Sequence, residues 1–292
     1  MTETEIMNVA IVGAGTMGSR IASQCLLCGK TVYLHDISPQ ALERAVDEIR
    51  ASLSGRMGQA AEQALARLHP CPSLGECLAV ADLVLENVPE NLELKRQVFA
   101  EIDRLAPPHA FIGTNSSSIP PSRIASATKR PDKFYNANFS APAVELMGHA
   151  GTSGETLAAV EDFLRSIEMV PLRVKREIMG YALNRTWRAV KREALHLVAG
   201  GYVDFEDLDR GWMLNFGSPW GPFGLMDIVG LDVVRDIEMQ YYLDSGDEQD
   251  RPPDFLADWV AEGRLGVKSG RGFYSYPDPE YKQPGWLHKE PP

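Results

Sequence analysis

Residues 8–36, NVAIVGAGTMGSRIASQCLLCGKTVYLHD, decide the fold. An apolar run ends in the glycines of GAGTMG, a helical pattern follows as far as Gly29, and a second apolar run ends at Asp36. A strand, a glycine-rich turn, a helix and a second strand in this order are typical of a dinucleotide-binding unit. The stretch therefore predicts a parallel sheet wrapped by helices.

The glycines of this turn have separate tasks in such a unit. Gly13 permits the tight turn, Gly15 lets the backbone approach a pyrophosphate, and Gly18 lets the helix pack against the strand. The backbone amides around Thr16 and Met17 would face the phosphates at the positive end of the helix. A lone glycine motif is weak evidence, but its position between a predicted strand and a predicted helix makes it specific.

Asp36 decides which dinucleotide is expected. Its carboxylate can accept hydrogen bonds from a ribose diol, and it would repel a 2′-phosphate. No arginine adjoins Asp36 in the sequence. We therefore predict NAD rather than NADP as the cofactor, the alternative being that the glycines form a plain turn and Asp36 a helix cap.

The rest of the chain divides into two parts. Strand and helix patterns alternate through ADLVLENVP, NLELKRQVFAEIDRLA and AFIGTNSSS, whereas long helical patterns without alternation follow Gly180. We expect an α/β fold: a Rossmann-type, doubly wound parallel sheet over residues 1–178, followed by an all-α domain over residues 179–292. The first part would bind the cofactor, and the second would contribute to the substrate site and to dimerisation.

Composition excludes several classes of protein. The 292 residues carry a formal net charge of −11, which argues against a nucleic-acid partner because phosphate binding needs a basic surface. No apolar run approaches the roughly 18–20 residues that cross a bilayer, and the start of the chain does not resemble a signal peptide. We expect a cytoplasmic protein. Cys25 and Cys28 form a C-x-x-C inside a helical pattern, and we interpret them as core thiols rather than as metal ligands.

Several further motifs carry a resemblance to a known family. They are ENVPENLELK, GTNSSSIP, GYALNR, GPFGLMDIVGLD and LGVKSGRGFYSY. From about residue 7 to residue 276 the chain resembles the 3-hydroxyacyl-CoA dehydrogenase family, which also includes enzymes of small hydroxy acids such as L-gulonate and carnitine. The resemblance implies a Rossmann domain that binds NAD, a helical C-terminal domain, a small-molecule substrate and a homodimer formed through the helical domains.

The resemblance also assigns individual residues. Glu90 and Lys95 match an acidic and a basic residue near the nicotinamide half of NAD, although an exposed helix pair would show the same spacing. Ser117 matches a serine that binds the reacting oxygen of the substrate. Asn184 matches an asparagine that touches the substrate and the catalytic histidine, the alternative being a polar residue in the first turn of a helix.

The stretch KFYNANFSAP departs from the family pattern. Asn138 stands where the family has its catalytic histidine, and Ala141 replaces the asparagine before the proline. The family's glutamate, which orients the histidine, matches Ala150 if the chains are compared without a gap. A loop shortened by five residues would place Glu145 there instead, and this gapped comparison matches more neighbours.

An amide cannot act as a base near neutral pH, and losing a general base costs on the order of 10²–10⁴ in rate. Asn138 can still donate a hydrogen bond to a carbonyl oxygen that gains negative charge. The proton would then come from water, from the substrate or from His149, the histidine closest in sequence.

The substrate side differs elsewhere too. The segment after the second strand, residues 50–72, is short and contains no lysine, whereas the family members that bind CoA have a long, lysine-rich segment there. We therefore expect an NAD-dependent oxidoreductase that acts on a hydroxy or carbonyl compound other than a CoA thioester. The alternatives are a catalytically silent protein that binds NAD or a metabolite, and a 3-hydroxyacyl-CoA dehydrogenase with altered proton transfer.

Overall fold

A computed structural model describes residues 5–140 and 142–289. The chain forms two compact units, Met1–Ala182 and Leu183–Pro292. None of the helices in the described ranges is long and apolar enough to cross a membrane.

The first unit contains one eight-stranded sheet with the order β3-β2-β1-β4-β5-β6-β7-β8. All neighbouring strands are parallel except β6 and β7, which are antiparallel. The strands are β1 Asn8–Val12, β2 Thr31–His35, β3 Leu68–Pro70, β4 Leu83–Glu86, β5 Phe111–Thr114, β6 Phe134–Phe139, β7 Ala143–Met147 and β8 Val170–Val174. The predicted parallel sheet is confirmed. β2 and β3 lie on one side of β1, whereas β4 and the later strands lie on its other side. The carboxyl end of β1 is therefore the point at which the strand order reverses, and such folds bind ligands there.

Helices cover both faces of this sheet. They are α1 Thr16–Leu27, α2 Pro39–Met57, α3 Ala61–Leu65, α4 Leu74–Leu78, α5 Leu92–Leu105, α6 Pro121–Ala125 and α7 Gly154–Ser166. Alternate residues of β1 show how the faces are used: Val9 and Ile11 belong to one apolar cluster, whereas Ala10 and Val12 belong to the other. The side chains of a strand point alternately to its two faces, so β1 anchors both cores.

The second unit is helical, as predicted. Its helices are α8 Ala182–Ala199, which begins at the last residue of the first unit, α9 Phe205–Phe216, α10 Pro222–Val229, α11 Leu231–Ser245 and α12 Asp254–Ala261. The core is rich in aromatic rings: Phe223 and Phe273 lie 4.5 Å apart between ring centres, and Phe205 contacts both.

Two buried carboxylates hold this unit together. Asp209 accepts hydrogen bonds from the amides of Phe223 and Gly224, at 2.8 and 2.9 Å, and so caps α10. Asp227 accepts from the amides of Phe273 and Tyr274, both at 2.9 Å. Burial raises the pKa of each aspartate to about 6, despite these hydrogen bonds.

These raised pKa values predict a pH-dependent stability of the second unit. An unfolded aspartate has a pKa of about 3.9, so the folded chain holds these protons more tightly. The two protonated aspartates therefore contribute their full stabilisation of the folded state below about pH 4, and this contribution is lost as the pH rises to about 6. In urea unfolding, the free energy of unfolding of the wild type relative to that of Asp227→Asn should fall as the pH rises from about 4 to about 6. The exposed Asp258→Asn is the control, and a difference that does not vary with pH would contradict the prediction.

Candidate active site

The glycine turn after β1 is closed by backbone contacts. Gly13 has φ of +104°, and a side chain there would lie 2.7 Å from the backbone of Asn87. The Gly13 amide donates to the carbonyl of His35 at 2.8 Å. A side chain on Gly18 would collide with the Gly13 carbonyl. Both positions therefore need glycine for steric reasons.

Gly15 is different, because an added Cβ atom would meet nothing within 4 Å. It precedes α1, whose first turn has no side-chain cap and no acidic residue. The first amides of a helix lack partners within the helix and attract anions. The open space at Gly15 and the uncapped amides near Thr16 and Met17 fit a pyrophosphate, and the assignment of these residues to the cofactor stays a prediction.

Variants of these glycines should separate folding from cofactor binding. We expect Gly15→Ala to keep the wild-type melting temperature but to weaken NADH binding by roughly tenfold or more, because the methyl group occupies the space of the phosphates. We expect Gly18→Ala to lower the melting temperature. Thermal melts and titrations of NADH fluorescence would measure both effects, and unchanged NADH affinity in Gly15→Ala would show that the phosphates bind elsewhere.

Asp36 lies at the carboxyl end of β2 and holds the glycine turn in place. Its Oδ2 accepts from the amide of Ala14 at 2.8 Å, and its Oδ1 accepts from the amide of Ser38 at 2.8 Å. In the part of the chain that the structure describes, Asp36 makes no ion pair. The site thus presents a carboxylate without a cation beside it, which suits a ribose diol and not a 2′-phosphate.

A buried carboxylate at the end of β4 is a feature that the sequence analysis missed. Glu86 is fully buried and contacts the Lys95 ammonium at 2.8 and 3.0 Å. It also accepts from the hydroxyl of Thr114 and from the amide of Val88, both at 2.6 Å. Burial raises the pKa of Glu86, and Lys95 opposes this only in part.

Glu90 lies on the other side of Lys95, 3.4 Å from its ammonium. Its Oε1 accepts from the hydroxyls of Ser116 and Ser118 at 2.6 and 2.7 Å. Burial would raise its pKa, but these hydrogen bonds and Lys95 outweigh burial and lower it, so Glu90 stays ionised. The predicted pair is present, and the alternative of an exposed helix pair is wrong: Lys95 is 1% exposed, and α5 begins after Glu90, at Leu92, with Asn91 as its cap.

Ser117 lies between these two bound serines, in the loop that follows β5. It is exposed, and its side chain makes no hydrogen bond with any residue in the described ranges. Its neighbours are held firmly, because Glu90 binds both flanking serines and the hydroxyl of the buried Tyr181 donates to the Ser116 carbonyl at 3.0 Å. The loop therefore presents Ser117 on a fixed backbone.

Asn138 and Glu145 are direct partners in the sheet. The antiparallel register of β6 and β7 pairs these two residues, whereas Ala150 lies in the turn beyond the far end of β7. Glu145 Oε1 accepts from the amide of Ala182 at 2.8 Å, at the start of α8. Asn138 is 7% exposed. Its side-chain amide makes no hydrogen bond with any of the described residues. The structure thus brings Glu145, not Ala150, beside Asn138; Ala141 lies outside the described residues.

Other asparagines surround this position and were also missed. Asn115, at the end of β5, accepts from the amide of Phe139 at 2.9 Å and donates to Asn87 Oδ1 at 2.8 Å. These bonds connect the ends of β4, β5 and β6. Asn136 is fully buried on β6, and its Oδ1 finds no partner within the described ranges. Asparagines concentrated at strand ends, as in NVP, TNS and NAN, are the signal that would have indicated this network.

His149 is wrong as a replacement acid. Since β7 runs antiparallel to β6, the chain beyond Met147 returns to the opposite end of β6 from Asn138. There the His149 ring lies 6.2 Å from that of Phe134, its Nε2 is 3.1 Å from the Pro131 carbonyl, and its Nδ1 accepts from the amide of Gly151. Both ring nitrogens are therefore used in a turn.

Asn184 belongs to the second unit. It lies in the first turn of α8, and its side chain is exposed. Its assignment as a residue that contacts the substrate stays a prediction.

The family assignment follows from both units. Residues 8–178 match the description "3-hydroxyacyl-CoA dehydrogenase, NAD binding domain", and residues 180–276 match "3-hydroxyacyl-CoA dehydrogenase, C-terminal domain". The chain belongs to the 3-hydroxyacyl-CoA dehydrogenase family.

Similar proteins act on several kinds of substrate. The 5-formyl-3-hydroxy-2-methylpyridine 4-carboxylate 5-dehydrogenase of Mesorhizobium japonicum is 31% identical, over 93% of this chain and 91% of that protein. A probable 3-hydroxybutyryl-CoA dehydrogenase of Bacillus subtilis is 32% identical, over 93% and 98%. Among solved structures, a diketoreductase described as acting on dicarbonyl compounds has a TM-score of 0.84 and 34% identity, over 94% of this chain and all of that one.

These findings define the class of reaction. The protein is an NAD-dependent dehydrogenase that acts on a CH–OH group or on the corresponding carbonyl. NAD supplies the chemistry of accepting or returning a hydride.

Proposed function

We propose that this enzyme transfers hydride between NAD(H) and a hydroxy or carbonyl compound that is not a CoA thioester, with Asn138 in place of the family's histidine. The observation that carries the proposal is the amide of Asn138, which lies nearly buried beside Glu145 without a hydrogen-bond partner in the described chain. The diketoreductase and the 5-formyl-3-hydroxy-2-methylpyridine 4-carboxylate 5-dehydrogenase support it, because the substrates in their names are not CoA thioesters.

The chemistry required of these residues is electrostatic. When hydride reaches a carbonyl carbon, negative charge develops on the oxygen, and hydrogen-bond donors already in place stabilise it. Asn138 Nδ2 and the hydroxyl of Ser117 are the proposed donors. The amide of Asn138 cannot release a proton near neutral pH, so water supplies the proton that completes the alcohol.

Two further residues support this arrangement. Glu145 Oε1 accepts from the backbone amide of Ala182, the last residue of the first unit, and this bond helps to fix the carboxylate on β7. Asn184, in the first turn of α8, is proposed to contact the substrate on the family resemblance alone. On the cofactor side, Glu90 and Lys95 are proposed to face the nicotinamide half of NAD.

The direct test is NADH oxidation with a panel of diketones, oxo acids and acetoacetyl-CoA. We expect turnover of a diketone or an oxo acid and little or none of acetoacetyl-CoA. Turnover of no compound, although NADH binds, would indicate a silent member of the family. Rapid turnover of acetoacetyl-CoA would indicate a 3-hydroxyacyl-CoA dehydrogenase with altered proton transfer.

We also propose a cytoplasmic homodimer in which residues 1–178 bind NAD and residues 179–292 serve the substrate and the dimer contact. Val233 and Ile237, one turn apart on α11, are 41% and 39% exposed and offer apolar surface for such a contact. All four cysteines are free thiols, which suits a reducing compartment. Size-exclusion chromatography with light scattering would give the mass, and a mass of 32.2 kDa would exclude the dimer.

A further inference from the structure

Tyr181 has an unusual backbone conformation, close to the end of the first unit. Its φ is +56°, a left-handed value that bulky residues rarely adopt, and the preceding Gly180 has φ of +78°. The side chain of Tyr181 is fully buried. Backbone strain of this kind persists only where surrounding contacts maintain it, and it is concentrated at functional sites. The contacts of Tyr181 therefore indicate its role.

The hydroxyl of Tyr181 holds a peptide bond of the loop that follows β5. It donates to the Ser116 carbonyl at 3.0 Å, and no other hydrogen bond to this carbonyl is found within the described ranges. Burial raises the pKa of Tyr181, and neighbouring glutamates raise it further. The hydroxyl therefore stays protonated and remains a donor.

Ser116 is fixed at each of its polar groups. Its amide donates to Thr114 Oγ1 at 3.1 Å, and its hydroxyl donates to Glu90 at 2.6 Å and accepts from the amide of Ile119 at 2.9 Å. The carbonyl is the remaining group, and Tyr181 is its partner. Since Ser116 is 1% exposed, a carbonyl left without its donor would keep the full cost of its burial.

The peptide bond between Ser116 and Ser117 transmits this constraint to Ser117. A peptide unit is planar, so a carbonyl that is held at its oxygen also fixes the plane that contains the next amide and Cα atom. The side chain of Ser117 makes no hydrogen bond of its own with the described residues. The position of its hydroxyl therefore depends on the backbone that carries it.

The next residue in the chain supports the other proposed donor. The amide of Ala182 donates to Glu145 Oε1 at 2.8 Å, and Glu145 is the cross-strand partner of Asn138. Two adjacent residues, Tyr181 and Ala182, thus contact the supports of both Ser117 and Asn138. These contacts account for a strained conformation at this point of the chain.

We propose that Tyr181 is a positioning residue of the reaction, whose hydroxyl fixes the Ser116–Ser117 peptide and so holds the Ser117 hydroxyl ready to donate to the substrate oxygen. This inference rests on the proposed function. Tyr181 acts through Ser117, because its own hydroxyl is engaged by a buried carbonyl. Donors that are already in place stabilise the developing charge without rearrangement, so a looser loop slows the chemical step more than it weakens binding.

The variant Tyr181→Phe removes the hydroxyl and keeps the ring. With the best carbonyl substrate, we expect kcat to fall by about tenfold while KM and the affinity for NADH stay within about twofold, since Ser117 is still present but is held less firmly. Tyr274→Phe is the matched control. Tyr274 is also buried, its hydroxyl also donates over 3.0 Å, to Asp209, and it belongs to the second unit. This control should lower the melting temperature and leave kcat unchanged.

A double variant separates positioning from a general loss of structure. In the Ser117→Ala background the positioned hydroxyl is missing, so the addition of Tyr181→Phe should not lower kcat further. An unchanged kcat in the single variant Tyr181→Phe overturns the proposal. An equal loss of kcat with and without the Ser117 hydroxyl also overturns it, because Tyr181 would then act on another group.

Failure of the proposed function gives a different result. If the protein turns over no carbonyl compound, hydrogen exchange followed by mass spectrometry still tests Tyr181. The amides of Ser118 and Ile119 are bound by Glu90 and Ser116 within the loop. Faster exchange of residues 115–119 in Tyr181→Phe, but not in Tyr274→Phe, supports the positioning of the loop, and exchange equal to that of the wild type overturns it.

Discussion

Asn138→Ala is expected to lower kcat for carbonyl reduction by about 10²–10³-fold, the usual effect of removing one donor from a site that stabilises an oxyanion. The amide of Asn138 has no hydrogen-bond partner in the described residues, so the protein loses little stability when the amide is removed. The affinity for NADH should stay within about twofold, because the glycine turn follows β1 and Asp36 follows β2, whereas Asn138 is on β6. Stopped-flow reduction and NADH titration would measure both quantities.

Asn215→Ala is the control for this variant. Asn215 is an exposed residue of α9 whose amide donates to the carbonyl of Gly211 at 2.8 Å. Its replacement should leave kcat unchanged. If Asn138→Ala also kept the wild-type kcat, Asn138 would have no part in the reaction.

The second large effect concerns stability. Glu86→Gln is expected to lower the free energy of unfolding by about 3–5 kcal/mol, since it leaves the buried ammonium of Lys95 without its main counter-charge. Glu90 cannot compensate fully, because its contact with Lys95 is 3.4 Å and its Oε1 is engaged by serine hydroxyls. Denaturant unfolding followed by circular dichroism would measure the loss.

Two comparisons isolate the burial of the charge. Glu93→Gln breaks an exposed ion pair with Arg96 of similar length, 2.8 Å, and should cost less than about 1 kcal/mol. The double variant Glu86→Gln with Lys95→Met removes both charges and should recover much of the lost stability. A double variant as unstable as the single one would show that hydrogen bonds of Glu86, and not its charge, stabilise this end of β4.

The cofactor half of the site was predictable because steric rules act on short stretches. Gly13, Gly15 and Gly18 follow from one turn, and the structure shows why two of them cannot carry a side chain. The order of strands and helices followed from their alternation in the sequence. The second unit could be predicted as helical because long helical patterns without alternation follow Gly180.

The substrate half of the site is harder to predict, because it depends on contacts between residues that are distant in the sequence. Glu86 belongs to an apolar run and was interpreted only as part of a strand, whereas its role depends on Lys95, nine residues later and on a helix. His149 is close to Asn138 in sequence, but the antiparallel turn of β7 carries it away. The same turn places Glu145 beside Asn138. Sequence spacing alone does not give the direction of a strand.

The pH dependence of kcat/KM for the best carbonyl substrate tests the role of Asn138 most directly. A histidine titrates near pH 6.5, whereas an amide does not titrate between pH 5 and 8. We predict a profile without an inflection near pH 6.5 in the wild type, and such an inflection in Asn138→His, with the faster reduction on the acidic side. An inflection near pH 6.5 in the wild-type enzyme would contradict the account, because it would mean that an ionising group, and not the amide of Asn138, handles the proton.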